Sequence, residues 1–264
     1  MDDLYPTLKR RHTHEPVQPE PAARKKRIGF VGPAAGAGTT TLAFAAAEYL
    51  ASSFKGSKAV TLLELDPRTA AAAGRPYDKI GIDRRFAGRD FTSFYRLVSE
   101  GKPLHNACNN DRGINWILRV PGEPCPGPAS PALFRLLDNA SGDIVICDIA
   151  AYAISDGETL LSLLADLTRV ICVFDLLPSR LLASIPVAET CRTAAASGVP
   201  VTYVFNKLNP GVNLREATRF TGITDYIPFP AIPAETIYAS EYACRSLASV
   251  PEIKSPLSQL LNPF

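Results

Sequence analysis

A glycine-rich stretch near the start of the sequence has the residue types that bind phosphate. It covers residues 32–41 and reads GPAAGAGTTT. An apolar run at 28–31 precedes it, and an alanine-rich helical pattern follows it as far as Leu50. In a turn between a strand and a helix, main-chain amides and the partial positive charge of the helix N-terminus both favour an anion. We therefore predict that the amides of residues 36–41 surround the phosphates of a nucleotide.

The position after the last glycine of this stretch lacks the expected charge. Phosphate loops of this kind normally end in Gly-Lys-Ser/Thr, with the lysine on the outer phosphates, but here Thr39 follows Gly38. A hydrogen bond to a charged group contributes about 1.5–3 kcal/mol, so losing one weakens binding by about tenfold to more than a hundredfold. Thr40 is placed to offer its hydroxyl to Mg²⁺, which prefers oxygen ligands. A helix N-cap is the alternative role for Thr40.

Polar residues also follow three later apolar runs. They are Asp66 after 59–65, Asp148 after 143–147 and Asn206 after 201–205. Ligands of open parallel sheets bind at the carboxyl ends of the strands, so these residues are expected to reach one crevice. Two carboxylates converging on one pocket favour a function for both. Turn or cap residues are the alternative for each, and Asn206 could begin a turn with Asn209 and Pro210.

Short apolar runs alternate with helical patterns along the chain. The runs lie at 28–31, 59–65, 114–120, 143–149, 169–174 and 201–205, and the helices at 40–53, 92–100, 131–138, 157–165, 178–197 and 213–221. Consecutive apolar residues rich in valine and isoleucine are typical of strands buried on both faces. The alternation predicts an α/β fold, a mostly parallel twisted sheet with helices on both faces.

Composition limits the class of protein. The chain has 264 residues, 46% of them hydrophobic, and a net charge of +2, which suits one buried core and indicates no general affinity for nucleic acid. Residues 1–26 are rich in proline and charge and predict a disordered basic tail, followed by one domain over 27–264. No apolar run is long enough to span a membrane. The six scattered cysteines favour a reducing, cytoplasmic location.

The order of these features resembles the ParA/MinD group of deviant P-loop ATPases over nearly all of residues 27–250. Residues 36–41, GAGTTT, are similar to the family's G-x-G-K-[ST]-[ST], and Ala34 stands where the family has a second lysine that reaches the partner's ATP. The resemblance implies a homodimer that binds ATP and Mg²⁺. It implies roles for four residues: Thr40 and Asp148 at the metal, Asp66 orienting the attacking water and Asn206 at adenine.

Within that group, the segments 91–104 and 113–118 resemble pilus-assembly and secretion relatives of the TadZ or CpaE type. Because the Walker A motif is degenerate at positions 34 and 39, we expect a nucleotide-binding switch or positioning protein that hydrolyses ATP slowly or not at all. Its partner would be a protein, such as a membrane-associated pilus or secretion assembly. DNA binding and direct membrane insertion are not expected, because the C-terminal half has no basic cluster and the C-terminus carries one lysine.

Two alternatives remain open. One is an active Mg²⁺-dependent ATPase in which another cation replaces the missing lysines, with Arg68 favoured over Arg180. The other is a pseudo-ATPase scaffold that binds no nucleotide.

Overall fold

The computed structural model describes residues 25–67, 76–104, 107–123, 127 and 130–262. The predicted disordered tail therefore lies outside the described residues except for its last two positions, and so do Arg68 and Cys125. The five cysteines in the described part are free thiols. None of the described helices combines the length and the apolar character needed to cross a membrane.

One eight-stranded sheet forms the centre of the molecule. Its strands are β1 (Lys26–Val31), β2 (Val60–Leu65), β3 (Asn110–Asp111), β4 (Ile114–Ile117), β5 (Ile144–Ile149), β6 (Arg169–Asp175), β7 (Val201–Leu208) and β8 (Ile227–Pro230). The spatial order is β3-β4-β2-β5-β1-β6-β7-β8. All neighbours are parallel except β3 and β4. The predicted mostly parallel sheet is confirmed.

Ten α-helices flank the sheet in the described residues. They are α1 (Thr39–Phe54), α2 (Pro76–Ile80), α3 (Ile82–Arg85), α4 (Phe94–Ser99), α5 (Pro131–Asn139), α6 (Gly157–Ala165), α7 (Pro178–Ala196), α8 (Leu214–Thr221), α9 (Ala234–Tyr242) and α10 (Pro251–Leu261). The six predicted helices are confirmed to within two residues at each end. Sequence periodicity missed α2 and α3, which are too short to show a period, and it missed α9 and α10.

Alternating strand residues build a separate core on each face of the sheet. In β1, Ile28 and Phe30 belong to the core beneath α1 and α10, whereas Val31 faces the core beneath α6 and α7. Successive side chains of a strand point to opposite faces, so a strand covered on both sides needs apolar residues throughout. Every residue of β2 and β5 is buried. This double covering fixes the carboxyl ends of β1, β2 and β5 relative to one another.

Strand β1 begins earlier in the sequence than its apolar residues indicate. β1 starts at Lys26, which the predicted tail includes. The main chain there pairs with β5 from Lys26↔Ile144 onward, and the Lys25 ammonium donates to the Ala140 carbonyl. The basic residues are tolerated at this end of the strand because their side chains are only half-buried or exposed.

Candidate functional site

The glycine-rich turn joins the central strand β1 to α1. The Gly32 amide donates to the Ile149 carbonyl of β5 at 2.9 Å, which fixes the start of the turn to the neighbouring strand. Gly36 and Gly38 have φ values of 75° and 93°, a region that glycine adopts at little cost. The helix begins immediately afterwards, with the Leu42 amide donating to the Gly38 carbonyl at 3.0 Å.

The amides of this turn are open. Within the described residues, the amides of Gly36 and of residues 38–41 donate to no protein acceptor, and that of Ala37 makes a 3.3 Å bond to the Ala34 carbonyl. The first-turn amides of α1 have no acceptor within the helix. The turn is therefore not closed on itself, and its donors are free to meet an anion.

Two buried carboxylates share a cavity with the turn. This phosphate-loop cavity has a volume of about 260 Å³. It is lined by residues 36–41, which include Thr40, and by Asp66 and Asp148. The two carboxylate residues are 3% and 6% exposed. The structure thus brings together Asp66, Asp148 and the turn, as the sequence predicts, although their chemical roles stay predictions.

The two positions that lack lysine face the same cavity. Ala34 and Thr39 both line it and both are buried. A Cβ placed on Gly32 would stand 2.8 Å from the Thr39 hydroxyl, so this hydroxyl packs directly against the end of β1. Neither side chain can supply charge. The cation among the described cavity residues is instead Lys79 of α2, which the sequence reasoning missed because α2 has no detectable period.

Asn206 supports the turn from behind. Its side-chain amide donates to the Ala37 carbonyl at 2.8 Å and the residue is 8% exposed. A Cβ on Gly38 would stand 2.3 Å from the Asn206 Nδ2 atom, so this contact itself requires glycine at 38. Asn206 does not line the phosphate-loop cavity. Its predicted contact with adenine stays a prediction, and the observed contact is with the loop.

A cluster of charged residues holds the outer side of the turn. Arg180 and Lys207 both donate to the Gly36 carbonyl, at 2.8 and 2.5 Å, and both pair with Asp175. Partial burial raises the pKa of Asp175, but hydrogen bonds from Lys207 and the Leu177 amide, with the charge of Arg180, bring that pKa below its ordinary value. Arg180 is thus engaged with the loop's main chain and lies outside the cavity. Asp175 is the last residue of β6, and Asp148 likewise lies next to the carboxyl end of β5, a signal that the sequence offered.

A third carboxyl group lies behind the two cavity carboxylates. Glu64 is fully buried, its Oε2 accepts from the Arg119 amide at 2.9 Å, and its Oε1 has no hydrogen-bond partner among the described residues. Burial raises the pKa of Glu64 to about 8, with Asp66 and Asp148 adding to the rise and the Arg119 amide opposing it. Glu64 is therefore protonated near neutral pH, which limits the negative charge behind the cavity.

A buried arginine fixes α2 and α3 against the rest of the molecule. The Arg85 side chain is 2% exposed and pairs with Glu48 of α1 at 2.8 Å and with Asp111 of β3 at 3.1 Å. It also donates to the Cys244 and Ile80 carbonyls, and its guanidinium lies 5.1 Å from the Trp116 ring centre. Because this network joins four separate segments, it holds α2 beside the phosphate loop.

A larger groove lies between α7 and α8. Its volume is about 630 Å³. Asp175, Arg180 and Lys207 form one end of it, and apolar side chains line most of the rest, including Leu182 and Phe220, which are 60% and 50% exposed. The groove lacks both the open amides and the carboxylate pair. The smaller phosphate-loop cavity is therefore the candidate chemical site.

No protein-family model matches the chain, and no curated protein matches it either. Solved structures do. A plasmid partition protein from Borrelia burgdorferi B31 bound to AMPPNP has a TM-score of 0.63 at 13% identity, covering 90% of this chain and 97% of its own. The septum site-determining protein MinD from Pyrococcus horikoshii OT3, complexed with Mg-ADP, has a TM-score of 0.61 at 14% identity, with coverage of 90% and 96%.

The MinC:MinD cell division protein complex from Aquifex aeolicus also matches, with a TM-score of 0.62 at 14% identity and coverage of 88% and 92%. Identities this low establish the fold alone. The protein has the P-loop fold of ParA and MinD ATPases, and the shared architecture extends over almost the whole of each chain.

Proposed function

We propose that this protein binds ATP with Mg²⁺ at the glycine-rich turn and acts as a ParA/MinD-like nucleotide-dependent switch or positioning protein. One observation carries the proposal: open main-chain amides and two buried carboxylates line one cavity. Two of the matched structures hold AMPPNP and Mg-ADP, which supports a magnesium nucleotide as the ligand.

The residues of the cavity fit a magnesium nucleotide. The cavity of about 260 Å³ is smaller than the about 300–1,000 Å³ typical of pockets that enclose a whole ligand. We therefore expect it to hold the phosphate chain and an ion, with the base outside it. The hydroxyl of Thr40 and the carboxylate of Asp148 would hold Mg²⁺, directly or through water. When bound, the ion would neutralise phosphate charge. The amides of residues 36–41 would orient the phosphates, and Asp66 would position a water.

Hydrolysis is expected to be slow. Positioned cations supply much of the stabilisation of the phosphoryl-transfer transition state, and positions 34 and 39 hold alanine and threonine. Arg180, one of the two candidate substitutes, pairs with Asp175 and the Gly36 carbonyl. An active ATPase with a substitute cation and a scaffold without nucleotide are the competing proposals.

We also propose that the protein dimerises and binds a protein partner; one matched structure is a MinC:MinD complex. The groove between α7 and α8 supports this, because exposed Leu182 and Phe220 could contact an apolar partner surface. Arg180 and Lys207 line the same groove and contact the phosphate loop. A partner bound in the groove would therefore lie beside the side chains that hold the loop. An assembly such as a pilus or secretion system, reached from the cytoplasm, is the proposed target.

Isothermal titration calorimetry with Mg-ATP tests the binding proposal. The parent protein should bind Mg-ATP, and Asp148→Asn should weaken Mg-ATP binding but not metal-free ATP binding, because the carboxylate acts through the ion. Asp166→Asn, at the exposed end of α6, is the matched control. Absence of heat and of a thermal shift at millimolar Mg-ATP would leave the scaffold as the function.

Phosphate release separates a switch from an active ATPase. We expect release to be slow and to disappear in Asp66→Ala. Rapid Mg²⁺-dependent release that Asp66→Ala abolishes would favour the active enzyme.

A further inference from the structure

The phosphate-loop cavity brings negative groups together around a site proposed for an anion. Asp66 and Asp148 are both almost fully buried there. A triphosphate added beside two buried carboxylates would meet repulsion that Mg²⁺ offsets only in part, since like charges at short range are unfavourable in a poorly solvated site. Main-chain amides contribute partial charges alone. A full positive charge on a side chain that lines the cavity would favour the phosphates more strongly than these partial charges do.

Lys79 is the cation that lines this cavity in the described part of the chain. Arg180 and Lys207 are near the loop, but they pair with Asp175 and the Gly36 carbonyl on its outer side and do not line the cavity. Lys79 is half-buried, and within the described residues it makes no hydrogen bond or ion pair. Its ammonium is therefore not committed to a structural contact there.

The main chain that carries Lys79 is held firmly. Tyr77 and Ile80 of the same helix are buried, and the Tyr77 hydroxyl donates to Asp83 at 2.6 Å. The Arg85 Nε donates to the Ile80 carbonyl at 3.1 Å, which connects α2 to the buried arginine network. A fixed backbone with a long, flexible side chain that lines a cavity suits a lysine that meets a ligand as a point charge.

We propose that Lys79 supplies the positive charge that positions 34 and 39 lack, its ammonium donating to the phosphates of a nucleotide bound at the loop. This inference rests on the proposed function. It assigns the phosphate cation to the segment after β2 instead of to the loop itself. The charge would thus arrive from α2, so the order of this helix and the affinity for phosphate are coupled.

A structural role is the competing explanation. Lys79 and Glu241 of α9 both line a small adjoining cavity of about 30 Å³, so Lys79 could stabilise the fold by long-range attraction to that carboxylate. Such a role predicts a change in unfolding stability without a change in nucleotide affinity. Titration calorimetry and thermal unfolding of the same variants separate the two explanations.

The experiment compares the parent protein with Lys79→Met, Lys79→Arg and the control Lys254→Met. The control removes an exposed lysine of α10 that lines neither the phosphate-loop cavity nor the adjoining one. Lys79→Met should weaken Mg-ATP binding by about tenfold to a hundredfold, the value of one charged hydrogen bond. Lys79→Arg should retain most of the affinity, and Lys254→Met all of it. The loss of affinity should be larger for Mg-ATP than for AMP, because AMP offers fewer phosphates to the ammonium.

Amine labelling of the parent protein gives a second readout that needs no variant. Saturating Mg-ATP should protect Lys79 from acetylation by acetic anhydride, as measured by mass spectrometry, and should leave Lys254 equally reactive. If the parent binds Mg-ATP but Lys79→Met binds it equally well, or Lys79 is not protected, the inference is overturned and the proposed function stands. If the parent itself binds no Mg-ATP, both are overturned.

Discussion

Glu64 gives a pH dependence that can be worked from the structure. In the unfolded chain its carboxyl has a pKa near the ordinary 4.5, whereas burial raises that pKa to about 8 in the fold. Between these values the folded protein keeps a proton that the unfolded chain has released. The free energy of unfolding therefore falls as pH rises through this window, by about 1.4 kcal/mol per pH unit at most.

The full window from 4.5 to about 8 corresponds to a loss of about 5 kcal/mol in the free energy of unfolding. Glu64→Gln should remove this loss. A glutamine amide stays neutral at every pH, and its oxygen can still accept the hydrogen bond from the Arg119 amide that Oε2 now accepts. The variant should gain stability relative to the parent as pH rises, and should differ little from it near pH 4.5.

Urea denaturation followed by circular dichroism between about pH 5 and about pH 9 measures this difference. Glu235→Gln, at an exposed position of α9, controls for the loss of a carboxylate elsewhere. Parallel stability curves for Glu64→Gln and the parent would refute the reasoning. So would a variant less stable than the parent at all pH values, because that result would mean Glu64 is ionised and stabilised in the fold.

Three further predictions concern the supports of the site. Arg85→Met should lower the free energy of unfolding by about 3–5 kcal/mol, since it removes the buried partner of Glu48 and leaves Asp111 paired only with the exposed Arg89 and Arg112. A loss below about 1 kcal/mol in chemical denaturation would contradict this. Gly38→Ala should cost about 1–3 kcal/mol through its positive φ and the 2.3 Å approach to Asn206, and Asn206→Ala should restore part of that loss in a double-mutant cycle. Asp175 has a lowered pKa, so its ionised carboxylate stabilises the fold above the ordinary value of 3.8, and this stabilisation is lost as pH falls below that value. Asp175→Asn should abolish that part of the acid unfolding transition. An unchanged transition would show that the ion pairs of Asp175 with Arg180 and Lys207 contribute nothing.

The strands and the long helices were predictable because their signals are local. The mostly apolar run at 143–149 is typical of a strand buried on both faces, and β5 occupies 144–149. β3 and β8 were missed because each is a short edge strand: β3 has two polar residues and β8 reads IPFP. In α10, Pro251 and Pro256 obscure the helical pattern, and burial of Ile253 and Leu257 against the sheet stabilises the helix despite them.

The sequence by itself determined the open phosphate loop, since glycines at 36 and 38 permit the positive φ values and the strand-to-helix transition exposes the amides. It also placed Asp66 and Asp148 at strand ends, because parallel strands bring their carboxyl ends to one edge. Among the described residues, tertiary structure alone decided which cation lines the cavity at that edge. Arg180 is drawn to the outer side by Asp175, whereas Lys79 lines the cavity because a distant arginine network holds its helix there. Such long-range contacts leave no periodic trace in a single sequence.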